Sequence, residues 1–321
     1  RRISNIGGLM FPIIPAAAAA DEAGQGNGNG IFGYGGGLSP FPRMTNLISN
    51  VGVVAADVTA VGTARQSLAA CEYGEDKGIF GFGNSGLTST AWTAITNLVS
   101  NTGVAATDTT GVGTARLNLG ACSYGGDKGI FGYGESAAAV AGVSMTNLVA
   151  NTGVVATDTT GVGTARTLAV ACEYGEDKGI FGFGNINQGT KVSMTNLVSN
   201  LGVVSTDVTG VGTARQYLAG CNYGDDKGIF GYGYNGSPAT RVSLTNLVSN
   251  VGVVSTDVTG VGTARNSLGA TQYGDDKGIF GYGVTPSLSS LTNLVSNTGV
   301  VSADVTGVGT ARSYAAGCSY N

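Results

Sequence analysis

The stretch that decides the fold runs Thr164-Ala165-Arg166-Thr167-Leu168-Ala169-Val170-Ala171-Cys172-Glu173-Tyr174-Gly175-Glu176-Asp177-Lys178-Gly179-Ile180-Phe181-Gly182-Phe183-Gly184. Near-copies follow Arg65, Arg116, Arg215 and Arg265, and a truncated copy follows Arg312. Successive arginines lie 51, 50, 49, 50 and 47 residues apart. Self-similarity at a fixed period of this length marks a repeat architecture, in which each unit buries its apolar face only against its neighbours.

Each repeat contains four strand-like runs. They are exemplified by Leu68 to Tyr73, Gly129 to Gly134, Thr146 to Val149 and Gly153 to Asp158. Between them lie turns such as Tyr-Gly-Asp-Asp-Lys and Ser-Asn-Thr-Gly, rich in residues that tolerate positive φ. Four short antiparallel strands per repeat predict one blade of a β-propeller. The first run is built of small residues (Ala69, Ala70 and Cys71; Gly120, Ala121 and Cys122), as strands crowded round an axis require. The second run is aromatic (Phe80, Phe82) and suits the wider space between blades, where large side chains bury most area.

Second runs begin at Gly30, Gly78, Gly129, Gly179, Gly228 and Gly278, which makes six. The N-terminal copy lacks a first run and the C-terminus supplies a spare one, Ser313 to Tyr320. The expectation is an all-β, six-bladed β-propeller of four-stranded antiparallel blades over residues 30–321. The spare strand should pair beside Ile31-Phe32-Gly33-Tyr34 and close the ring, removing exposed edges. Residues 1–29 stand outside the repeat and read as an N-terminal arm with a Gly/Asn-rich linker, Gly24 to Asn29.

Composition narrows the function. Charged residues are only 11% of the 321, and glycine is 56 of them, which favours tight turns and short strands. No apolar run reaches the ~18 residues of a membrane span. A net charge of −4 without a basic cluster argues against nucleic acid. Histidine is absent, which removes the commonest general base and metal ligand. The five cysteines, Cys71, Cys122, Cys172, Cys221 and Cys318, occupy one slot per repeat, with Thr271 at the sixth. Interchange with threonine reads as small buried side chains with free thiols.

Arginine, a small-residue strand, a tight turn, Ile-Phe-Gly-Tyr-Gly and a third strand after a variable loop resemble the kelch-type β-propeller repeat over residues 30–321. The chain departs from that pattern in having Gly-Tyr/Phe-Gly in place of paired glycines, and in lacking a fourth-strand tryptophan. The regulator-of-chromosome-condensation type of propeller is the alternative resemblance. Near-identical repeats of this wording are also similar to those of environmental tailed-phage virion proteins.

Two recurring charge sets are visible. Asp57/Arg65, Asp108/Arg116, Asp158/Arg166, Asp207/Arg215, Asp257/Arg265 and Asp304/Arg312 form couples at fixed spacing. Arginine pairs carboxylates in a defined fork, so such couples can fasten one blade to the next, and a feature present in every blade is structural before it is catalytic. The turn acids Glu75, Asp76, Asp127, Glu176, Asp177, Asp225, Asp226, Asp275 and Asp276 are each close to a lysine and read as solvated turn chemistry, not as calcium ligands. The two sets absorb 15 of the 20 acids and 11 of the 16 basic residues, leaving little charge for a unique active site.

The loop from the second to the third run does vary. Its versions span Gly36 to Arg43, Asn84 to Ala94, Glu135 to Ser144, Asn185 to Ser193, Tyr234 to Ser243 and Val284 to Ser290. They hold the single tryptophan, Trp92, with Phe41, Arg43, Lys191, Tyr234 and Arg241 as candidate binding residues. Loops of different sequence on one face of a uniform frame make a binding surface. The expectation is therefore a non-enzymatic structural or recognition module without catalytic residues, cofactor or metal. The virion resemblance implies a tail-fibre protein, homo-oligomeric, that joins other virion or surface proteins through its arm and binds a cell-surface glycan. An extracellular assembly or surface-filament protein is the alternative, and an enzyme with a central-channel site stands third.

Overall fold

The structure is a computed structural model that describes residues 28–86, 91–139, 142–187, 189–236 and 240–320. The arm and most of its linker, residues 1–27, lie outside the described residues. Among those described, no helix is long and apolar enough to cross a membrane. The elements are short strands, β1 to β23 in chain order, assembled into antiparallel sheets of two to four strands.

Six sheets share one plan. Their first strands are β4 (Ala69–Tyr73), β8 (Gly120–Tyr124), β12 (Val170–Tyr174), β17 (Ala219–Tyr223), β20 (Gly269–Tyr273) and β23 (Ala316–Tyr320). Their central strands are β5 (Lys77–Gly81), β9 (Lys128–Gly132), β13 (Lys178–Gly182), β18 (Lys227–Gly231), β21 (Lys277–Gly281) and β1 (Asn29–Gly33). Their third strands are β6 (Thr96–Val99), β11 (Thr146–Val149), β16 (Thr195–Val198), β19 (Thr245–Val248), β22 (Thr292–Val295) and β2 (Met44–Ile48). In five of the sheets the first strand joins its central strand through a tight turn in which Gly175 and Glu176, for example, both take left-handed backbone (φ 60° and 66°). The C-terminal strand β23 pairs antiparallel with β1, Ile31 opposite Cys318, as the spare run predicted.

The fourth run departs from expectation. Only Val58–Thr59 (β3) of the first copy forms a strand there. In the third copy Val149 faces Val155 while Thr146 faces Thr159, so the outer segment carries one extra residue, a β-bulge. The buried Asn147 explains it. Its side-chain amide donates to the Ala156 carbonyl at 3.0 Å and to Asp158 Oδ1 at 2.9 Å, taking the place of ladder bonds. Equivalent asparagines, among them Asn97, Asn196 and Asn246, do the same elsewhere.

The core lies between neighbouring sheets. Along the chain each first strand packs against the next, β4 on β8, then β12, β17, β20 and β23, and β23 lies against β4. The Gly-Ile-Phe-Gly motif is the interlocking part. Cys122 Sγ sits where a side chain on Gly179 of the following sheet would be, 2.5 Å from the position of a Cβ. The Phe181 ring of that sheet lies equally close, 2.6 Å, to the Cβ position of Gly132 in the preceding one. The same pair of contacts recurs as Cys318 on Gly78 with Phe80 on Gly33. Aromatic rings meet edge to face across the same boundaries, as in Tyr133 with Phe181 at 5.1 Å and Phe32 with Tyr282 at 5.3 Å. Cys and Thr exchange because the slot needs only a small γ-atom, and Thr271 Cγ2 fills it against Gly30. All five cysteines are buried and free.

Candidate functional site

Six fully buried arginines organise the boundaries between sheets. The guanidinium of Arg166 lies over the Tyr133 ring of the preceding sheet at 4.2 Å, and that of Arg312 over Tyr282 at 3.9 Å. On the other side Arg166 Nη2 donates to Asn196 Oδ1 at 2.6 Å, and Arg312 Nε donates to the Tyr34 carbonyl at 2.7 Å. A planar cation with five donors suits this double duty of stacking and hydrogen bonding.

The carboxylate partners correct the sequence pairing. Asp57/Arg65 and the five other couples eight residues apart do not form. Arg65 faces Asp108 at 4.0 Å, Arg116 faces Asp158 at 3.4 Å, and Arg166 faces Asp207 at 3.8 Å. Arg215 faces Asp257 at 3.3 Å, Arg265 faces Asp304 at 3.7 Å, and Arg312 faces Asp57 at 3.9 Å. The residues between Asp57 and Arg65 carry the chain from the outer edge of one sheet to the inner strand of the next. Each arginine therefore meets the aspartate at the far edge of its own sheet. The link to the preceding sheet is the ring stack, not the ion pair.

Each aspartate also anchors the crossover that approaches it. Asp158 accepts from Thr114 Oγ1 at 2.6 Å and from the Thr114 backbone N–H at 3.0 Å. Burial works to raise the Asp158 carboxyl, but these bonds, Asn147 and Arg116 together hold it below the ordinary value. Burial in turn lowers Arg116 to about 10, which leaves it charged at neutral pH. In the turns, Lys77 pairs with Asp76, which also accepts from Asn101 Nδ2 at 3.1 Å. Among the described residues no cluster of three or more His, Cys, Asp or Glu side chains could hold a metal ion.

The loop residues are spread over four copies. Trp92 and Phe41 are half-buried, Arg43 is exposed, and Arg43 Nη1 donates to the Gly62 carbonyl at 3.4 Å. Lys191 Nζ lies 5.5 Å from the centre of the Tyr234 ring. Tyr234 forms a backbone bridge with Arg241, whose Nε donates to Asn266 Oδ1 at 3.3 Å. The structure thus gathers Lys191, Tyr234 and Arg241 and leaves Trp92, Phe41 and Arg43 apart from them. An open groove of about 440 Å³ runs beside Lys191, with Ser193, Met194 and Asp207 among its walls. Parts of four loops, residues 87–90, 140–141, 188 and 237–239, lie outside the described residues.

A polar set on the first strands was not read from the sequence. Glu72, Ser123, Glu173, Asn222, Gln272 and Ser319 occupy one strand position, and all but Ser319 line a cavity of about 30 Å³ with the cysteines. Ser123 Oγ donates to Glu173 Oε2 at 2.5 Å, Asn222 Nδ2 to Gln272 Oε1 at 2.8 Å, and Ser319 pairs with Glu72. Burial, then the charge of Glu72, pushes Glu173 up to about 8, and burial raises Glu72. The available signal was the changing residue between Cys and Tyr in an otherwise uniform strand. Compared with known proteins, the chain matches no family model and no curated sequence.

Proposed function

We propose that the six sheets are the blades of a β-propeller closed by the C-terminal strand, and that the protein is a non-enzymatic recognition module presenting its variable loops on one face. Support for the closed arrangement comes from β23 joining β1 and lying against β4, and from the Arg stack, the Phe-on-Gly contact and the Cys- or Thr-on-Gly contact recurring at every boundary. The observation that carries the recognition reading is the concentration of difference on one face. The frame repeats the same bonds copy after copy, while the loops and the residues bridged to them (Gln66 with Asn84, Gln216 with Tyr234, Asn266 with Val284) change. A cell-surface glycan is the ligand this reading favours, because Trp92 and Tyr234 offer ring faces and Lys191 and Arg241 offer donors. Placement on a virion fibre, with oligomerisation through the arm, rests on the resemblance of the repeat wording alone.

Glycan-array binding by the intact chain tests the reading, with Trp92→Ala and Lys191→Ala as probes. A hot-spot tryptophan should cost about 2 kcal/mol of binding or more while the melting temperature holds. If Trp92→Ala instead lowers the melting temperature and leaves adhesion unchanged, the ring serves its own sheet. If the array shows no bound glycan, the ligand class is wrong.

A further inference from the structure

One more set of residues changes between otherwise uniform copies: the second residue after each buried arginine. These are Ser67, Asn118, Leu168, Tyr217, Ser267 and Tyr314, and together they line one pit of about 90 Å³ on the loop face. Each takes a left-handed backbone, with φ between 52° and 59°. Backbone bonds tie neighbours together, as from Asn118 N–H to Ser67 at 2.9 Å and from Tyr314 N–H to Ser267 at 2.8 Å. Asparagine accepts this conformation readily, whereas a leucine and two tyrosines are strained in it, and such strain gathers at functional positions. The strained Phe183 and Tyr133 of the frame have a packing reason, the arginine stacked on each. In the pit the backbone bond to the neighbouring copy, made also by Leu168 and Ser267, holds this conformation, while the side chains it carries differ from copy to copy.

The pit has a definite chemistry. Tyr217 and Tyr314 meet edge to face at 5.9 Å. Asn118 Nδ2 donates to Glu135 Oε1 at 2.8 Å, so that carboxylate stands behind one of the residues that line the pit. No lysine or arginine is among the described residues that line it. We infer that this pit binds the methylated ammonium head of a small organic cation. Tyrosine rings attract a cation through their π-faces, and a nearby carboxylate supplies the counter-charge. The same carboxylate disfavours an anion. Trp92, Lys191 and Arg241 are not part of this pit, so it stands or falls separately from glycan recognition by the loops.

Isothermal titration of the full chain with choline and tetramethylammonium, with glucose for comparison, is the test. Both cations should bind and glucose should not. Tyr217→Asn and Glu135→Gln should each weaken choline binding by about tenfold or more. Trp92→Ala should leave choline affinity unchanged. Tyr217→Asn should also raise Tm, because asparagine relieves the left-handed strain. Absence of choline binding, a preference for glucose, or undiminished affinity in both pit variants would overturn the assignment. So would a Tyr217→Asn chain that melts lower, since the ring would then be there for packing.

Discussion

At the residue scale the fold turns on side chains that meet glycine. Gly179→Ala would place a methyl group 2.5 Å from Cys122 Sγ and 3.2 Å from the Ser123 carbonyl, on a strand with no room to move. Overpacking of this kind should destabilise by about 1–3 kcal/mol, read from urea denaturation. Adding Cys122→Ala should recover part of the loss, because the two residues are in contact. Additive effects of the two substitutions would show that they do not touch. Burial raises the thiols well above their ordinary range, so the thiolate needed for reaction is scarce in the folded chain. All five cysteines should therefore label only in denaturant, with no reductant added. Fewer than five labelled groups would contradict the free thiols.

At the scale of elements, the C-terminal strand is the most exposed dependency. Removing residues 313–321 strips β1 of one of its two partners and β4 of a neighbour. Aggregation or a large fall in Tm should follow, and a truncated chain melting within about a degree of the intact one would exclude the dependency. Most of this scale was legible in the sequence, because the 50-residue period, the small first run and the Gly-Ile-Phe-Gly motif each report a local requirement. The outer strand was not, since Asn147 reads as an ordinary strand residue until its amide is seen to replace ladder bonds and force the bulge. The Asp/Arg couples were legible as structural but not in their pairing. Sequence spacing shows Asp158 near Arg166, while the crossover between them sends the two into different sheets and gives Asp158 to Arg116. Glu72, Glu173 and the Tyr217 pit escaped because each rests on a single variable position of the repeat, and only the fold brings the copies of that position together.

The whole molecule combines two opposed titrations. Ten aspartates, Asp158 among them, have carboxyls held below the ordinary 3.8, so the stability they confer is present above that value and is lost as pH falls through the lowered one. Glu173 is displaced the other way, so the folded state holds its proton between the ordinary 4.5 and about 8, and stability falls as pH rises through that window. The melting temperature should therefore peak on the acid side of neutrality. Glu173→Gln should flatten the fall toward pH 8 and leave the acid limb in place; an unchanged profile would mean that Glu173 titrates normally. The sheet containing β1 and β23 carries a further consequence, one of timing. The same arginine-to-carbonyl bond spans 17 residues in Arg65 to Phe82 and 278 in Arg312 to Tyr34. Loop closure grows with the logarithm of length, so this sixteenfold difference adds about 2.5 kcal/mol of entropy to joining the ends. As the chain leaves the ribosome, five sheets can form as each repeat emerges, while β1 waits with an unpaired edge until the last strand is made. That interval is when the nascent chain is most open to pairing with a neighbour's β23, and so to exchanging strands between molecules.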